Sequence, residues 1–190
     1  MSVEGREEMS GGRIAETATR ERIAEALLEL MKKKNIDKIT VKDVVDHCNI
    51  TRQTFYYHYQ DMMDVFEWIC RKKADEMLRL ILGMDEAETT IKYFLIEIRR
   101  DRDIVNKMMD SRKRMEIEEI LLCMTKTFLK GMIKARGLNR ELVSLDLEIT
   151  LNFYSYAIMG IMTELCRKKE IDIDAYAKAI LRVLEKGLKR

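Results

Sequence analysis

The sequence predicts an all-α protein of about nine helices, and three observations carry that prediction. Proline is absent and glycine occurs only eight times in 190 residues, so little in the chain forces a long helix to break. Apolar residues recur at intervals of three and four, and no stretch alternates apolar and polar residues as a half-buried strand would. Charged residues make up 36% and hydrophobic residues 47%, which allows each helix a wet face and a face for the core. The length suits one large domain or two small ones. No repeat is present.

Residues 1–12, with Gly5 and Ser10-Gly11-Gly12, read as a flexible arm. The first helix is expected to begin between Ile14 and Thr19, with Ile23, Leu27, Leu30 and Met31 as its buried stripe. Lys32, Lys33 and Lys34 suit the negative pole at its end, and Asn35 can terminate it.

The stretch Thr40–Tyr59, TVKDVVDHCNITRQTFYYHY, reads as a short helix, a sharp turn and a second short helix. Thr40 and Asp43 have the spacing of a capping box. Val41, Val44, Val45 and Cys48 then share a face, and Asn49 tolerates the left-handed backbone that ends a helix abruptly. Thr51 can cap the second helix, in which Phe55 and Tyr59, four apart, are the core-facing positions. Nearly everything else on that helix can hydrogen-bond outward. Such a helix is suited to being read by a partner, and the arrangement fits a DNA-binding helix-turn-helix.

The remaining helices follow in order. Asp61 and Asp64 open a long helix to about Leu82, ended by Gly83. Asp85 with Glu88 starts another through Arg100, and the charged break Arg99–Asp103 precedes a short segment, Ile104–Met109. A helix over Glu116–Arg136 is closed by Gly137. The turn Leu138-Asn139-Arg140 leads to a helix from about Leu142 to Lys168, and Asp172 caps the last one, Ile173–Leu188.

The run from Thr40 to Tyr59, continued by Asp61-Met62-Met63-Asp64-Val65, resembles the DNA-binding domain of the TetR family of bacterial regulators over about residues 17–66. It departs from the family pattern at Cys48-Asn49, where Ala-Gly is usual, and at Met62, where a phosphate-contacting Lys is common. The resemblance implies a helix-turn-helix domain over 13–60 and a helical effector-binding and dimerisation domain over 61–190. It places Arg20 and Arg22 near DNA phosphate; a solvated face is the other reading of these two arginines. Phe153–Met162, FYSYAIMGIM, also resembles the C-terminal region of a subgroup that includes regulators of dihydroxyacetone kinase operons.

DNA roles follow from side-chain chemistry. Arg52 and Gln53 are candidates for guanine and adenine edges, and Thr54 or Tyr57 for a thymine methyl. Thr40, Thr51, Tyr56 and His58 suit phosphate, assisted by Lys42. Partial packing against neighbouring helices competes for Tyr56 or Tyr57. Residues 1–60 hold ten Lys and Arg against ten Asp and Glu, so there is no bulk basic footprint and the reading depends on placement. Thr51–Gln60 contains no acidic residue.

The last two long helices offer apolar residues on more than one face. Leu147, Ile149, Phe153, Tyr156, Ala157, Gly160, Ile161 and Thr163 leave more apolar surface than one core-facing stripe requires, and Phe153, Ala157, Gly160 and Ile161, with Tyr176, Ile180, Val183, Leu184 and Gly187, are the expected subunit interface of a homodimer; a monomer that buries both faces itself is the alternative. In the middle of the chain, from Trp68 to Tyr156, the residues Trp68, Tyr93, Phe94, Met108, Met124, Phe128 and Tyr156 are candidates for lining a small-molecule effector pocket, against a plain core role for the same residues.

Enzymatic readings find no support, since no nucleophile elbow, Gly-rich phosphate loop or paired carboxylates occur and the only histidines are His47 and His58. No catalytic residue and no cofactor is expected. His47, Cys48, His58 and Cys70 match no zinc spacing, so no metal is expected either. The four cysteines read as reduced thiols of a cytoplasmic protein, and no apolar run approaches the roughly 20 residues that span a bilayer. The expected function is a homodimeric regulator, a repressor on double-stranded DNA relieved by a small molecule. Its rivals are a coactivator whose C-terminal domain binds a protein, and a DNA-organising protein without effector.

Overall fold

In the computed structural model the described residues are 3–135, 137 and 144–188 for the backbone, and 16–135, 137 and 144–184 for side-chain surroundings. They form nine α-helices and no strand: α1 (Val3–Lys33), α2 (Val41–Cys48), α3 (Arg52–His58), α4 (Met62–Leu82), α5 (Ala87–Arg100), α6 (Arg102–Met109), α7 (Arg114–Ala135), α8 (Ser144–Arg167) and α9 (Ile173–Leu188). A 3-10 turn, Ile36–Lys38, lies between α1 and α2. The expected turn Leu138-Asn139-Arg140 and the helix start at Leu142 lie outside the described residues. Gly137 takes a positive φ of 66° beyond the end of α7, as a helix-terminating glycine does.

At the N-terminus one expectation differs from the structure and one is extended. The arm expected over residues 1–12 is helical from Val3, because Glu4, Arg6, Glu7, Glu8 and Met9 are good helix formers in register with α1 and outweigh three glycines. Asn35 does more than end α1. Its side chain accepts from the Asp37 N–H at 2.9 Å and so caps the 3-10 turn, which buries Ile36.

The chain divides into two compact units, Met1–Ile69 and Cys70–Arg190, with the boundary inside α4. The first unit is built where α1 meets α2 and α3. Ile23, Leu27 and Met31 of α1 are buried with Val44, Val45 and Cys48 of α2, Phe55 of α3, and Val65 and Phe66 of α4. Complete burial of a side chain such as Phe55 contributes about 2 to 3 kcal/mol.

In the second unit α5 packs on α8 and α9, and α6 and α7 pack on α8. Leu95, Leu165 and Ala177 form a buried cluster against which Ile91, Ile161, Ile171, Ile173, Tyr176 and Ile180 pack. Ile161, Tyr176 and Ile180, expected at the subunit interface, are half-buried against their own chain's core, because α9 lies along α5. The end of α8 is held from a distance. Arg99 donates to the carbonyls of Leu165 (2.8 Å), Lys168 (2.6 Å) and Lys169 (2.9 Å), Arg102 to that of Lys169 (3.2 Å), and the Asn106 amide to that of Cys166 (3.0 Å). Lys73 of α4 pairs with Asp101 at the junction of α5 and α6. Gly131 of α7 lies so near α4 that a Cβ there would meet the Leu78 side chain at 2.6 Å.

Candidate nucleic-acid interface

The two short helices at the centre of the first unit begin and end as their residues dictate. The Thr40 Oγ1 accepts from the Asp43 N–H at 3.2 Å while the Asp43 carboxylate accepts from the Thr40 N–H at 2.7 Å, closing a capping box. Lys34 stands 3.0 Å from the same carboxylate. The bonds from Thr40, joined by the Lys34 ammonium, hold the Asp43 carboxyl down at about 2. At the other end of α2, Asn49 takes the left-handed conformation, φ 53° and ψ 50°, which turns the chain toward α3. Thr51 then caps α3 by accepting from the Thr54 N–H at 3.0 Å.

Of α3 itself only Phe55 is buried; Tyr59, the residue after it, is 2% exposed. Burial pushes the Tyr59 hydroxyl up to about 12 against the opposing charge of Arg20. Arg52, Gln53, Tyr56 and Tyr57 are exposed, Tyr56 at 58% and Tyr57 at 76%, so neither tyrosine is taken up by packing. Thr40, Lys42 and Thr51 are exposed as well, while Thr54 and His58 are half-buried. Tyr57 leans edge-on against the His58 ring, centroids 4.9 Å apart. The nine residues singled out for DNA thus lie on α2, α3 and the caps before them, and seven of the nine are exposed. Met62 is half-buried.

Neither sequence reading anticipated what Arg20 and Arg22 do. Arg22 donates to the Cys48 carbonyl at 2.6 Å and Arg20 to the His58 carbonyl at 3.2 Å, so the two arginines of α1 hold the last carbonyls of α2 and α3. The signal available to sequence was only their spacing of two, which says nothing about partners 26 and 38 residues away.

The residues expected to line an effector pocket do not share one setting. Met108 on α6 and Met124 on α7 are buried, and Tyr93, Phe94 and Phe128 are half-buried in the second unit. Trp68 belongs to the first unit, 6.4 Å from the Tyr59 ring. Tyr156 is corrected more plainly. It stands 63% exposed on an outward row of α8 with Leu145, Ile149 and Phe153, whose spacings of four, four and three put them on one helix face. Leu145 was missed from sequence, although that spacing was there to be read. Ala157 and Gly160 are exposed on the same helix, and a Cβ at Gly160 would meet nothing within 4 Å. Val183 of α9 is 71% exposed and Leu184 half-buried, while the surroundings of Gly187 lie outside the described residues. Among the described residues no group of three or more His, Cys, Asp or Glu is placed to hold a metal, and no helix is long and apolar enough to cross a membrane.

Comparison with known proteins bears on both units. Residues 23–69 match the family model described as bacterial regulatory proteins, tetR family, and residues 85–186, more than half of the chain, match that described as a transcriptional regulator C-terminal region. Similar solved structures include the dihydroxyacetone kinase operon activator DhaS, 20% identical, with a TM-score of 0.64 over 90% of this chain and 96% of that one. A TetR transcriptional regulator from Streptococcus agalactiae 2603V is 19% identical, TM-score 0.63, over 96% and 99% of the two chains. GusR from Salmonella enterica is 17% identical, TM-score 0.61, over 89% and 96%. At these identities the likeness is one of fold. No curated protein sequence matches.

Proposed function

This chain belongs to the TetR family of bacterial regulatory proteins, and we propose that it acts as a homodimeric, non-enzymatic repressor that reads a pseudo-palindromic operator in double-stranded DNA and is released by a small-molecule effector. The observation that carries the reading is α3, a capped helix that buries one residue and leaves Arg52, Gln53, Tyr56 and Tyr57 in solvent. In this reading Arg52 and Gln53 meet base edges, Thr54 or Tyr57 a thymine methyl, and Thr40, Lys42, Thr51, Tyr56 and His58 the phosphates. One α3 covers one half-site. A second copy is needed for the other, with the two recognition helices about 34 to 36 Å apart so that they enter successive major grooves.

The outward row Leu145, Ile149, Phe153 and Tyr156, with the open approach at Gly160 and the exposed Val183, is the surface we assign to that second copy. The buried Met108 and Met124 and the half-buried aromatics of the second unit supply the adaptable apolar lining that an effector requires. Release then follows from differential affinity of the effector for two states of the dimer. The cytoplasm is the compartment where such a protein meets DNA.

Selection of duplexes from a random pool by the native protein, read by sequencing, tests this. A two-fold-symmetric site with half-sites one helical turn apart, or a multiple of it, is expected, and Phe153→Glu should give a monomer that binds it far more weakly. Binding without sequence preference would favour a DNA-organising protein. A second reading, a coactivator whose C-terminal domain binds a protein, takes its support from the exposed apolar row of α8; a native chain that sediments as a monomer while bound to DNA would favour it.

A further inference from the structure

We infer that Arg20 and Arg22 of α1 are positioning residues for DNA reading: they fix the pose of α3 and α2 by gripping the carbonyl ends of those helices, and Arg20 does not serve as a phosphate contact. The inference rests on the DNA-reading function proposed above.

A helix leaves its last carbonyls without partners inside it, and a cation placed there satisfies them and opposes the negative pole. In α2 and α3, eight and seven residues long, that end is a large part of the whole element. Each grip also runs in both directions. Arg22 donates to the Cys48 carbonyl at 2.6 Å, and the Cys48 thiol donates back to the Arg22 carbonyl at 3.4 Å. Arg20 donates to the His58 carbonyl at 3.2 Å, and the Tyr59 hydroxyl donates back to the Arg20 carbonyl at 3.2 Å. The Arg20 guanidinium lies over the Tyr59 ring, 4.9 Å from its centroid, and its Nε is buried. To reach a phosphate, Arg20 would have to give up the carbonyl, the ring and its buried setting together.

Phe55 and Tyr59, four residues apart, anchor one face of α3 in the core, and neither holds the free carbonyls at its last turn. The Arg20 grip supplies that hold at the His58 carbonyl. Base recognition by Arg52 and Gln53 demands placement within about 0.5 Å and 10–20°, whereas contacts to phosphate are more tolerant of small displacements. Loosening the grip therefore lowers discrimination between sequences more than it lowers affinity for DNA in general. Lysine is a poor substitute, because it lacks the planar fork that spans a carbonyl and an aromatic face at once.

The test uses the full chain carrying Arg20→Met, Arg22→Met or Arg20→Lys. Without DNA, hydrogen exchange of backbone amides should be at least tenfold faster over Phe55–Tyr59 in Arg20→Met, and at Asn49 and Ile50 in Arg22→Met, with native rates over Ile23–Met31 in both. Native rates throughout, or uniform acceleration across the unit, would overturn the inference. With DNA, affinity for a duplex selected by the native protein and for a scrambled duplex is measured against salt. Arg20→Met should lose tenfold or more of the selected-to-scrambled ratio while keeping the native salt slope on scrambled DNA. A preserved ratio with a slope lower by about 0.9 would instead make Arg20 a phosphate ligand. Arg20→Lys should fall between native and Arg20→Met in both readouts, and a fully native ratio would refute the need for a guanidinium. If the native chain selects no duplex at all, the DNA-reading proposal fails on its own, and the exchange rates alone decide whether the arginines fix the helix ends.

Discussion

The helix starts of the first unit and the end of α8 in the second are satisfied by different means, and the difference shows which parts of a helical protein a sequence can announce. In the first unit the helix starts are capped by neighbours two or three residues away: Asn35 with Asp37, Thr40 with Asp43, Thr51 with Thr54, and Asp61 with the Met63 and Asp64 amides at 2.7 and 3.0 Å. In the second unit the end of α8 is satisfied by Arg99, Arg102 and Asn106 across 60 to 70 residues of chain. A local cap is a spacing and can be read. A distant one is a product of the fold.

The largest effect that would sharpen this contrast comes from the first unit's core. Phe55→Ala should cost about 3 to 5 kcal/mol, because a fully buried ring is replaced by a cavity. Trp68, in the same unit, reports on it. Its fluorescence in urea should show a transition well ahead of the helical circular dichroism of the second unit; coincident transitions would mean the units melt as one. Next comes Arg99→Met, which removes the donor from three carbonyls at the end of α8 and should destabilise the second unit by roughly 2 to 3 kcal/mol. Circular dichroism should register that loss while the Trp68 midpoint stays near its native value. An equal shift in both signals would break the comparison.

The smallest effect is a pH dependence of the first unit. The Asp43 carboxyl is held at about 2, below its ordinary 3.8, so its contribution is complete above about 4 and is lost as the pH falls through 2. Asp43→Asn should lower the Trp68 midpoint at pH 7 and flatten its decline between pH 4 and 2. An unchanged profile would show that the Thr40 hydroxyl alone sustains the cap.

The same contrast explains what was legible. The nine helices, the capping roles of Thr40, Thr51 and Asp172, and the left-handed Asn49 all follow from residue type and spacing, and each is observed. The exposure of Arg52, Gln53, Tyr56 and Tyr57 was readable too, since Phe55 and Tyr59 absorb the only apolar face of α3. The roles of Arg20 and Arg22 were not, because an arginine shows its charge in sequence and its partner only in the fold. Periodicity marks Ile161, Tyr176 and Ile180 as apolar-facing without saying whose core they enter, and here it is their own chain's. Tyr156 illustrates the converse. Aromatic character suggested a pocket, while its register with Ile149 and Phe153 put it in solvent.

The grip on α8 has a consequence in time. Arg99, Arg102 and Asn106 leave the ribosome 60 to 70 residues before the carbonyls they hold. At about 5 to 20 residues per second, that is a wait of roughly 3 to 14 seconds with the guanidinium groups still hydrated. The caps at the helix starts of the first unit meet their partners within a fraction of a second of synthesis. A chain arrested after Ser111 should therefore already carry a folded first unit, while α5 and α6 remain without the helix they are built to clasp.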